Sequence, residues 1–279
     1  MTVERDIKTV GRDAGAARSA VKVQSGTVQK TVQIRDMVIG EGMTKTCAPI
    51  TGVTEKEILD QAWQICQARV DIIEWRCDWF ENVEDLASVK NVLCKLRALL
   101  GERTLLVTFR TKQEGGNLKV AKEVYRDINR TAIESGCADL VDVEIMMDKA
   151  VVKEVIACAH KHGVYVVASN HDFDKTPKNQ TLLERMKMMD EAGADILKAA
   201  VMPNDAADVV RLLDVTEKAK QFGKPVITMS MAGKGLVSRL SGEVFGSAVT
   251  FGCVGRPSAP GQIEVSKLRE ILELIHESL

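Results

Sequence analysis

The sequence lacks the features that would place a protein in a membrane or on nucleic acid. No apolar run is long enough to span a bilayer, and the first residues contain no apolar core of a signal peptide. The formal net charge is only −1, so neither sign predominates enough to attract a highly charged polymer. We therefore expect neither a membrane nor a nucleic-acid partner.

Cysteine pairs at metal-binding or redox spacing are also missing. The cysteines are odd in number and none forms a C-x-x-C pair. They are Cys47, Cys66, Cys77, Cys94, Cys137, Cys158 and Cys253. This pattern is typical of reduced thiols in a cytoplasmic protein, and it predicts neither a disulfide framework nor a zinc site. One H-x-H pair, His160 and His162, has no matching ligand cluster, so we expect no bound metal.

Short β-rich runs alternate with helical stretches from about residue 45 onward. Strands are predicted at residues 45–50, 71–75, 104–109, 139–144, 164–169, 195–200, 225–230 and 248–252, with a last helix near 263–277. Eight such units with apolar strands favour an α/β fold in which a parallel sheet closes into a (β/α)8 TIM barrel. The alternative is an open doubly wound sheet, but no G-x-G-x-x-G motif follows the first strand.

The first residues differ from the rest in composition. Residues 31–42 alternate apolar and polar side chains and then reach glycine, which predicts a short strand or hairpin before the barrel. Residues 1–30 show little apolar periodicity and are expected to form a flexible N-terminal extension. A targeting or docking arm is the alternative, although early acidic residues disfavour a mitochondrial presequence. Residues 31–279 are expected to form a single barrel domain.

Polar side chains are concentrated at the carboxyl ends of the predicted strands, where barrels carry their reactive groups. They are Glu74, Arg76 and Asp78 after the second strand, Arg110 and Glu114 after the third, Asp142 and Glu144 on the fourth, His171 after the fifth, Lys198 within the sixth, and Met229, Met231 and Arg239 on or after the seventh. Glu74, Arg76 and Asp78 can also be interpreted as a structural ion-pair ladder at the rim of the barrel. Glu144 can likewise be interpreted as a structural partner that holds Arg110. We expect Asp142 and Glu144 to support neighbouring residues rather than to act as catalysts.

Lys198 lies in the run ADILKAAVM, where almost every neighbour is apolar. A lysine in a barrel strand loses hydration, which disfavours the ammonium form. Its structural interpretation is a side chain that reaches solvent or pairs with a carboxylate; its functional interpretation is an amine that attacks a ketone and forms an iminium. His171 follows the neighbouring strand, and adjacent strands are only about 4.8 Å apart. The two side chains can therefore share a site, with His171 as general acid and base.

The segment before the last helix has the character of an anion site. Ser258 to Gln262 lead directly into the predicted helix, whose first N–H groups favour negative charge. Arg239 is available to join them, since a guanidinium suits a carboxylate as well as a phosphate. An ordinary capped loop is the alternative.

Taken together, these residues resemble the type I 3-dehydroquinate dehydratases of the shikimate pathway. The resemblance extends from about residue 31 to the C-terminus. It is carried by EWRCD at 74–78, TFRTKQEGG at 108–116, SNHDFDKTP at 169–177, ILKAAVMP at 196–203, ITMSMAGKGLVSRLSGEVFGSAVTF at 227–251 and SAPGQI at 258–263. The resemblance implies a lyase that dehydrates 3-dehydroquinate to 3-dehydroshikimate by syn elimination, with no cofactor, in a homodimer.

The resemblance also implies a role for each site residue. Lys198 would form the Schiff base, His171 would shuttle the proton, and Glu114 would orient His171. The substrate-binding residues would be Glu74, Arg76 and Arg110 for the ring hydroxyls, Arg239, Ser258 and Gln262 for the carboxylate, and Met229, Met231 and Phe251 on the apolar side. One departure is Pro49 at the end of the first strand, where some members have a serine that touches substrate.

Two other functions remain open on the residues alone. A Schiff-base aldolase or transaldolase would also place a lysine on a barrel strand, although the S-N-H-D-F segment favours dehydration. A non-catalytic sensor of shikimate-pathway acids would need neither Lys198 nor His171, and both are present.

Overall fold

A computed structural model describes residues 30–255, 259 and 261–279 of the chain. The prediction of a flexible extension falls almost wholly on residues outside this part. The described residues contain two sheets. Their strands are β1 (Val32–Ile34), β2 (Met37–Ile39), β3 (Lys45–Ile50), β4 (Ile72–Arg76), β5 (Thr104–Thr108), β6 (Leu140–Glu144), β7 (Tyr165–Asp172), β8 (Ile196–Val201), β9 (Val226–Ser230) and β10 (Val249–Phe251).

The larger sheet is parallel and has eight strands in the order β10-β3-β4-β5-β6-β7-β8-β9. The two strands at the ends of this order approach each other through a parallel bridge between Val226 and Ser247, and Ala248 donates its N–H to the carbonyl of Val226 at 2.8 Å. Helices alternate with the strands along the chain. The predicted (β/α)8 barrel is therefore confirmed.

The helices form the outer layer, and their apolar faces pack on the sheet. They are α1 (Glu55–Gln67), α2 (Leu86–Leu100), α3 (Lys122–Glu134), α4 (Lys149–Lys161), α5 (Asn179–Glu191), α6 (Ala206–Ala219), α7 (Leu236–Leu240), α8 (Gly242–Phe245) and α9 (Val265–His276). In α1 the buried residues Ile58, Ala62 and Ile65 recur at helical spacing, and Thr54 forms a capping box with Glu57. None of the helices in the described part is long and apolar enough to cross a membrane.

The predicted N-terminal hairpin is present and lies against the inside of the barrel. Strands β1 and β2 pair in antiparallel fashion, with Val32 opposite Ile39. The side chains of Val32, Ile34 and Ile39 are buried in the same apolar cluster as residues of the barrel strands, among them Ile72 and Leu106. Because inward-facing side chains fill a barrel of this size, the hairpin extends an already solid core.

The main difference from the predicted strands concerns the end of β7. The sequence predicts that this strand stops at residue 169, but its ladder with β8 continues through His171 and Asp172, which pair with Ala200 and Val201. His171 therefore lies in the strand and not after it. The polar sequence SNHD hid the strand because its side chains are held by other polar groups instead of by apolar packing. Smaller shifts affect β4, which ends at Arg76, and α9, which begins at Val265.

Candidate active site

A cavity opens at the carboxyl ends of the barrel strands. It is lined by Glu74, Arg76, Arg110, Glu114, Gly115, His171, Phe173, Lys198, Ala200, Met229, Met231, Arg239, Phe251, Ala259 and Gln262. The fold thus brings together all the candidate site residues except Ser258, which lies outside the described residues. Their individual roles remain predictions.

Lys198 extends from the middle of β8, and the residue is only 3% exposed. Its Nζ donates to Oδ2 of Asp142 at 3.0 Å and lies 4.7 Å from the centre of the Phe251 ring. The amine is thus in contact with both a carboxylate and an aromatic face. The lysine therefore points into the cavity, where its amine can meet a ligand, instead of reaching bulk solvent.

Asp142 is fully buried beneath Lys198 and is shared by several donors. Its Oδ1 accepts from Nη2 of Arg110 at 2.7 Å and from Oγ of Ser169 at 2.6 Å. Burial by itself raises the pKa of Asp142, but the charges of Arg110 and Lys198 outweigh it and leave the pKa well below its ordinary value. The carboxylate is thus ionised whenever the protein is folded near neutral pH. The sequence predicted a supporting role but not this direct contact with the lysine.

His171 and Glu114 form a second buried pair at the same cavity. Glu114 ends a short 3-10 turn, Lys112–Glu114, and Gly115 after it has a left-handed backbone with φ of +83°. Oε2 of Glu114 lies 2.9 Å from Nδ1 of His171 and accepts the backbone N–H of His171, also at 2.9 Å. Oε1 accepts from Nδ2 of Asn170 at 2.9 Å. Nδ1 is therefore occupied, and Nε2 is the ring nitrogen left to face a ligand.

The environment shifts the proton affinity of both members of this pair. Burial raises the pKa of Glu114 to about 7; the cation of Arg110 opposes this shift, and the carboxylate of Glu144 adds to it. Burial also lowers the pKa of His171 well below its ordinary value, and the cations of Arg110 and Lys198 act in the same direction. The imidazole is consequently neutral at neutral pH and can accept a proton.

Arg110 connects the two buried pairs. Nη1 of Arg110 donates to Oε1 of Glu144 at 2.9 Å and to Oγ of Ser169 at 3.0 Å. Burial alone lowers the pKa of Arg110, but the carboxylates of Asp142 and Glu144 raise it well above its ordinary value. Glu144 does hold Arg110, as the sequence allowed, and its own partners include the Thr111 backbone N–H at 2.8 Å. This permanently charged guanidinium lines the cavity.

The second strand end carries Glu74 and Arg76 into the cavity. Arg76 binds Asp78 through two hydrogen bonds, Nε to Oδ1 at 2.8 Å and Nη2 to Oδ2 at 2.9 Å. Oε1 of Glu74 accepts from Oγ1 of Thr108 at 2.8 Å. The structural interpretation is compatible with the predicted functional one, because Asp78 orients Arg76 while Arg76 and Glu74 still line the cavity.

Arg239 and Gln262 also line the cavity, together with apolar side chains. Arg239 on α7 is 1% exposed, and its Nη1 donates to the carbonyl of Phe251 at 3.2 Å. Burial lowers the pKa of Arg239 to about 10, so the guanidinium keeps its charge at neutral pH. Met229, Met231 and Phe251 line the same cavity and are buried. The cavity thus combines a buried cation, apolar side chains and a buried amine.

Some features were not foreseen or differ from expectation. Phe173 lines the cavity, but the sequence analysis assigned it no role. Only its position in the SNHDFDKTP stretch associated it with the site. Pro49 is paired with Glu74 in the β3–β4 ladder and is not part of the lining. His160 contacts Asp195 at 3.1 Å, and His162 contacts Cys158. Within the described residues, no group of three or more His, Cys, Asp or Glu side chains has the arrangement of a metal site.

Comparison with known proteins assigns this chain to a family. The family model of type I 3-dehydroquinase matches residues 46–279. The chain belongs to the type I 3-dehydroquinase family. Among curated relatives, 3-dehydroquinate dehydratase of Listeria welshimeri is 48% identical over 250 residues, covering 88% of this chain and 98% of that protein. The 3-dehydroquinate dehydratase of Clostridioides difficile is 45% identical over 254 residues, covering 90% of this chain and 100% of that protein.

Two solved structures of 3-dehydroquinate dehydratases have the same fold as this chain. The Clostridium difficile enzyme, solved with covalently modified comenic acid, superposes with a TM-score of 0.88 at 45% identity and covers 90% of this chain and 100% of its own. The 3-dehydroquinate dehydratase of Geobacillus kaustophilus superposes with a TM-score of 0.87 at 36% identity. The match covers 90% of this chain and 98% of the Geobacillus chain. The predicted resemblance is confirmed across the barrel.

Proposed function

We propose that this type I 3-dehydroquinase dehydrates 3-dehydroquinate to 3-dehydroshikimate, with Lys198 as the nucleophile and His171 as the proton carrier. One observation carries the proposal. A single cavity of the barrel is lined by a buried lysine amine and by a histidine whose Nδ1 is held by a carboxylate. Family membership favours this reaction over the aldolase and sensor alternatives.

The first step is imine formation at the C3 ketone of the substrate. The ammonium of Lys198 gives up a proton, and the neutral imidazole of His171 in the same cavity is suited to accept it. Nζ then attacks C3, and the hydroxyl of the resulting carbinolamine takes the proton back from His171 and leaves as water, which gives the iminium and a neutral His171. The Clostridium difficile relative was solved with covalently modified comenic acid, which supports the proposal of a covalent step in this family.

The second step is loss of the C2 proton and the C1 hydroxyl. The iminium draws electron density from C2, so removal of the proton by Nε2 of His171 leaves an enamine instead of a free carbanion. The enamine electrons return toward C1, the C1–O bond breaks, and His171 donates the same proton to the leaving oxygen. Since one base acts on one face of the ring, the elimination is syn. Hydrolysis of the product imine restores Lys198, and one water is lost overall.

The remaining lining residues have the chemistry to fix the ring for these transfers. Glu74, Arg76 and Arg110 supply charged donors and acceptors that match ring hydroxyls, while Arg239 and Gln262 match a carboxylate. Ser258 is assigned to the carboxylate by the resemblance alone. Met229, Met231 and Phe251 supply an apolar surface for the carbon face of the ring. Fixing a substrate at both ends is what places its C2 hydrogen within reach of a single histidine.

This reaction needs no metal or organic cofactor, because the lysine supplies the electron-withdrawing group itself. We also propose a cytoplasmic homodimer. These two assignments rest on the sequence and the resemblance described above.

The experiment that tests the function is an assay of purified protein for dehydroshikimate formation, with borohydride reduction in parallel. We expect turnover, and we expect borohydride with 3-dehydroquinate to attach ligand to Lys198. Lys198→Ala should abolish both. Full turnover by that variant would eliminate the Schiff-base mechanism.

His171→Ala separates the two steps. We expect this variant to form the reducible imine at the site of Lys198 while dehydration falls by about 10²-fold or more, the usual contribution of a general acid and base. The matched control is His160→Ala, since His160 is exposed and pairs with Asp195. A normal rate in His171→Ala would remove this residue from the proton-transfer role.

A further inference from the structure

Two cysteines outside the active site lie side by side. Cys94 is exposed on α2, and Cys137 is buried in the segment between α3 and β6. Their Sγ atoms are 3.9 Å apart, although 43 positions separate the residues in the sequence. In the described part of the chain, no other two thiols are in hydrogen-bonding contact with each other. We propose that Cys94 and Cys137 are an oxidation site that closes to an intramolecular disulfide when it reacts with a hydroperoxide.

The backbones around the two thiols are held together by other bonds. Arg97, one turn after Cys94 on α2, donates from Nε and Nη2 to the carbonyl of Cys137 at 3.0 and 2.7 Å. The N–H of Cys137 donates to Oγ of Ser135 at 3.1 Å. A disulfide has an S–S distance of about 2.0 Å, so the sulfur atoms must approach further. With the backbones already fixed, rotation of the side chains is the main adjustment required.

The exposure of the two thiols sets the order of the chemical steps. Cys94 is open to solvent and reacts first: its thiolate attacks the peroxide O–O bond, takes one oxygen as a sulfenic acid and releases water or an alcohol. The thiolate of Cys137 then attacks the Cys94 sulfur and displaces hydroxide, which becomes water with the thiol proton. Two thiols are oxidised by two electrons and one peroxide is reduced. Burial raises the pKa of Cys137, which fits its position as the second, resolving thiol.

The disulfide would enclose one complete βα unit of the barrel. The closed segment includes β5, Arg110 and Glu114, while Cys137 itself lies three residues before the start of β6. The amino ends of the strands face away from the cavity at their carboxyl ends. We therefore expect oxidation to hold α2 to the following segment and to oppose unfolding, while turnover stays unchanged.

The test is peroxide treatment of the purified full-length chain, followed by alkylation and mass spectrometry of a non-reducing digest. We expect one intramolecular cross-linked peptide that joins Cys94 to Cys137, the loss of two of the seven free thiols, and reversal by dithiothreitol. The melting temperature should rise by several degrees on oxidation, because a disulfide constrains the unfolded chain.

Three variants make the test specific. Cys94→Ser replaces an exposed side chain and should lose both the cross-link and the rise in melting temperature. Cys137→Ser should do the same, and Cys158→Ser, a cysteine outside the pair, should retain both. The proposal is overturned if Cys94 is oxidised to sulfinic acid without the linked peptide, if the link forms between two chains, or if peroxide leaves both thiols free. Turnover of 3-dehydroquinate is measured separately, so neither result depends on the other.

Discussion

Nζ of Lys198 lies 3.0 Å from Oδ2 of Asp142, and both side chains are closed off from solvent. The same carboxylate binds the guanidinium of Arg110 through its other oxygen. A single buried anion therefore fixes the positions of two cations, one assigned to the chemistry and one to the ring hydroxyls. Asp142 does not line the cavity, so we regard it as a positioning residue.

Asp142→Asn keeps the shape of the side chain but removes its charge. We expect kcat for dehydration to fall about 10²-fold, the effect of a small misplacement of reacting groups, with slower borohydride trapping at Lys198. Two buried cations would also lose their shared anion, so unfolding should become easier by about 3 kcal/mol. Steady-state kinetics and denaturant unfolding measure the two effects.

The matched control for Asp142→Asn is Ser169→Ala. Oγ of Ser169 donates to Asp142 at 2.6 Å and accepts from Nη1 of Arg110 at 3.0 Å, so this change removes both hydrogen bonds but keeps the anion. A loss of less than about 10-fold in kcat is expected, because the net free energy of such hydrogen bonds is modest. If the two variants were equally impaired, the charge of Asp142 would not be the cause.

The contact between Glu114 and His171 leads us to predict how kcat/KM falls on the acid side of its pH profile. The active form has a neutral His171 and an ionised Glu114 that accepts its Nδ1–H. Because burial raises the pKa of Glu114 to about 7, lowering the pH through this value protonates the carboxylate and weakens its hold on the imidazole. The limb belongs to the pair, since the two titrations influence each other. We expect kcat/KM to fall below an apparent pKa near 7.

Glu114→Gln tests the origin of that limb. The amide can still accept the Nδ1–H of His171 but cannot titrate, so kcat should fall by about 10-fold while the limb near pH 7 disappears. Glu123→Gln, an exposed carboxylate on α3, should leave the profile unchanged. An unaltered limb in Glu114→Gln would assign it to another group.

Much of this arrangement is foreseeable from the sequence because it follows from local patterns. The apolar run around Lys198 predicts a buried strand, and the strand ends are polar at the positions that later line the cavity. The contact between Lys198 and Asp142 is of another kind: Asp142 is on β6 and Lys198 is on β8, and β7 lies between them. Inward-facing side chains of alternate strands meet inside a barrel, and this depends on closure and register. Neither can be read from one segment.

Arg239 is expected to contribute mainly to substrate binding. It lies in the cavity lining on α7, while Lys198 and His171 project from β8 and β7. Arg239→Ala should raise KM about 30-fold or more, the effect of losing a charge-assisted hydrogen-bonding group, with a smaller change in kcat. Arg239→Lys should recover part of the loss. Lys234→Ala, which removes an exposed cation nearby, serves as the control, and an unchanged KM in Arg239→Ala would contradict the assignment to the carboxylate.

Gly116→Ala tests how the loop after β5 holds Glu114 and Arg110. A Cβ on Gly116 would lie 1.9 Å from the carbonyl oxygen of Arg110, a contact that requires the backbone to move. The N–H of Gly116 also donates to the carbonyl of Thr111 at 2.8 Å, so that movement would disturb the turn that presents Glu114. We expect a lower melting temperature and about a 10²-fold lower kcat, since His171 would lose its aligned partner. Gly233→Ala is the control, because a Cβ there meets no atom within 4 Å. Thermal melting and initial rates are measured on both variants; if Gly116→Ala behaved like Gly233→Ala, the close approach of this loop to Arg110 would not be what positions Glu114.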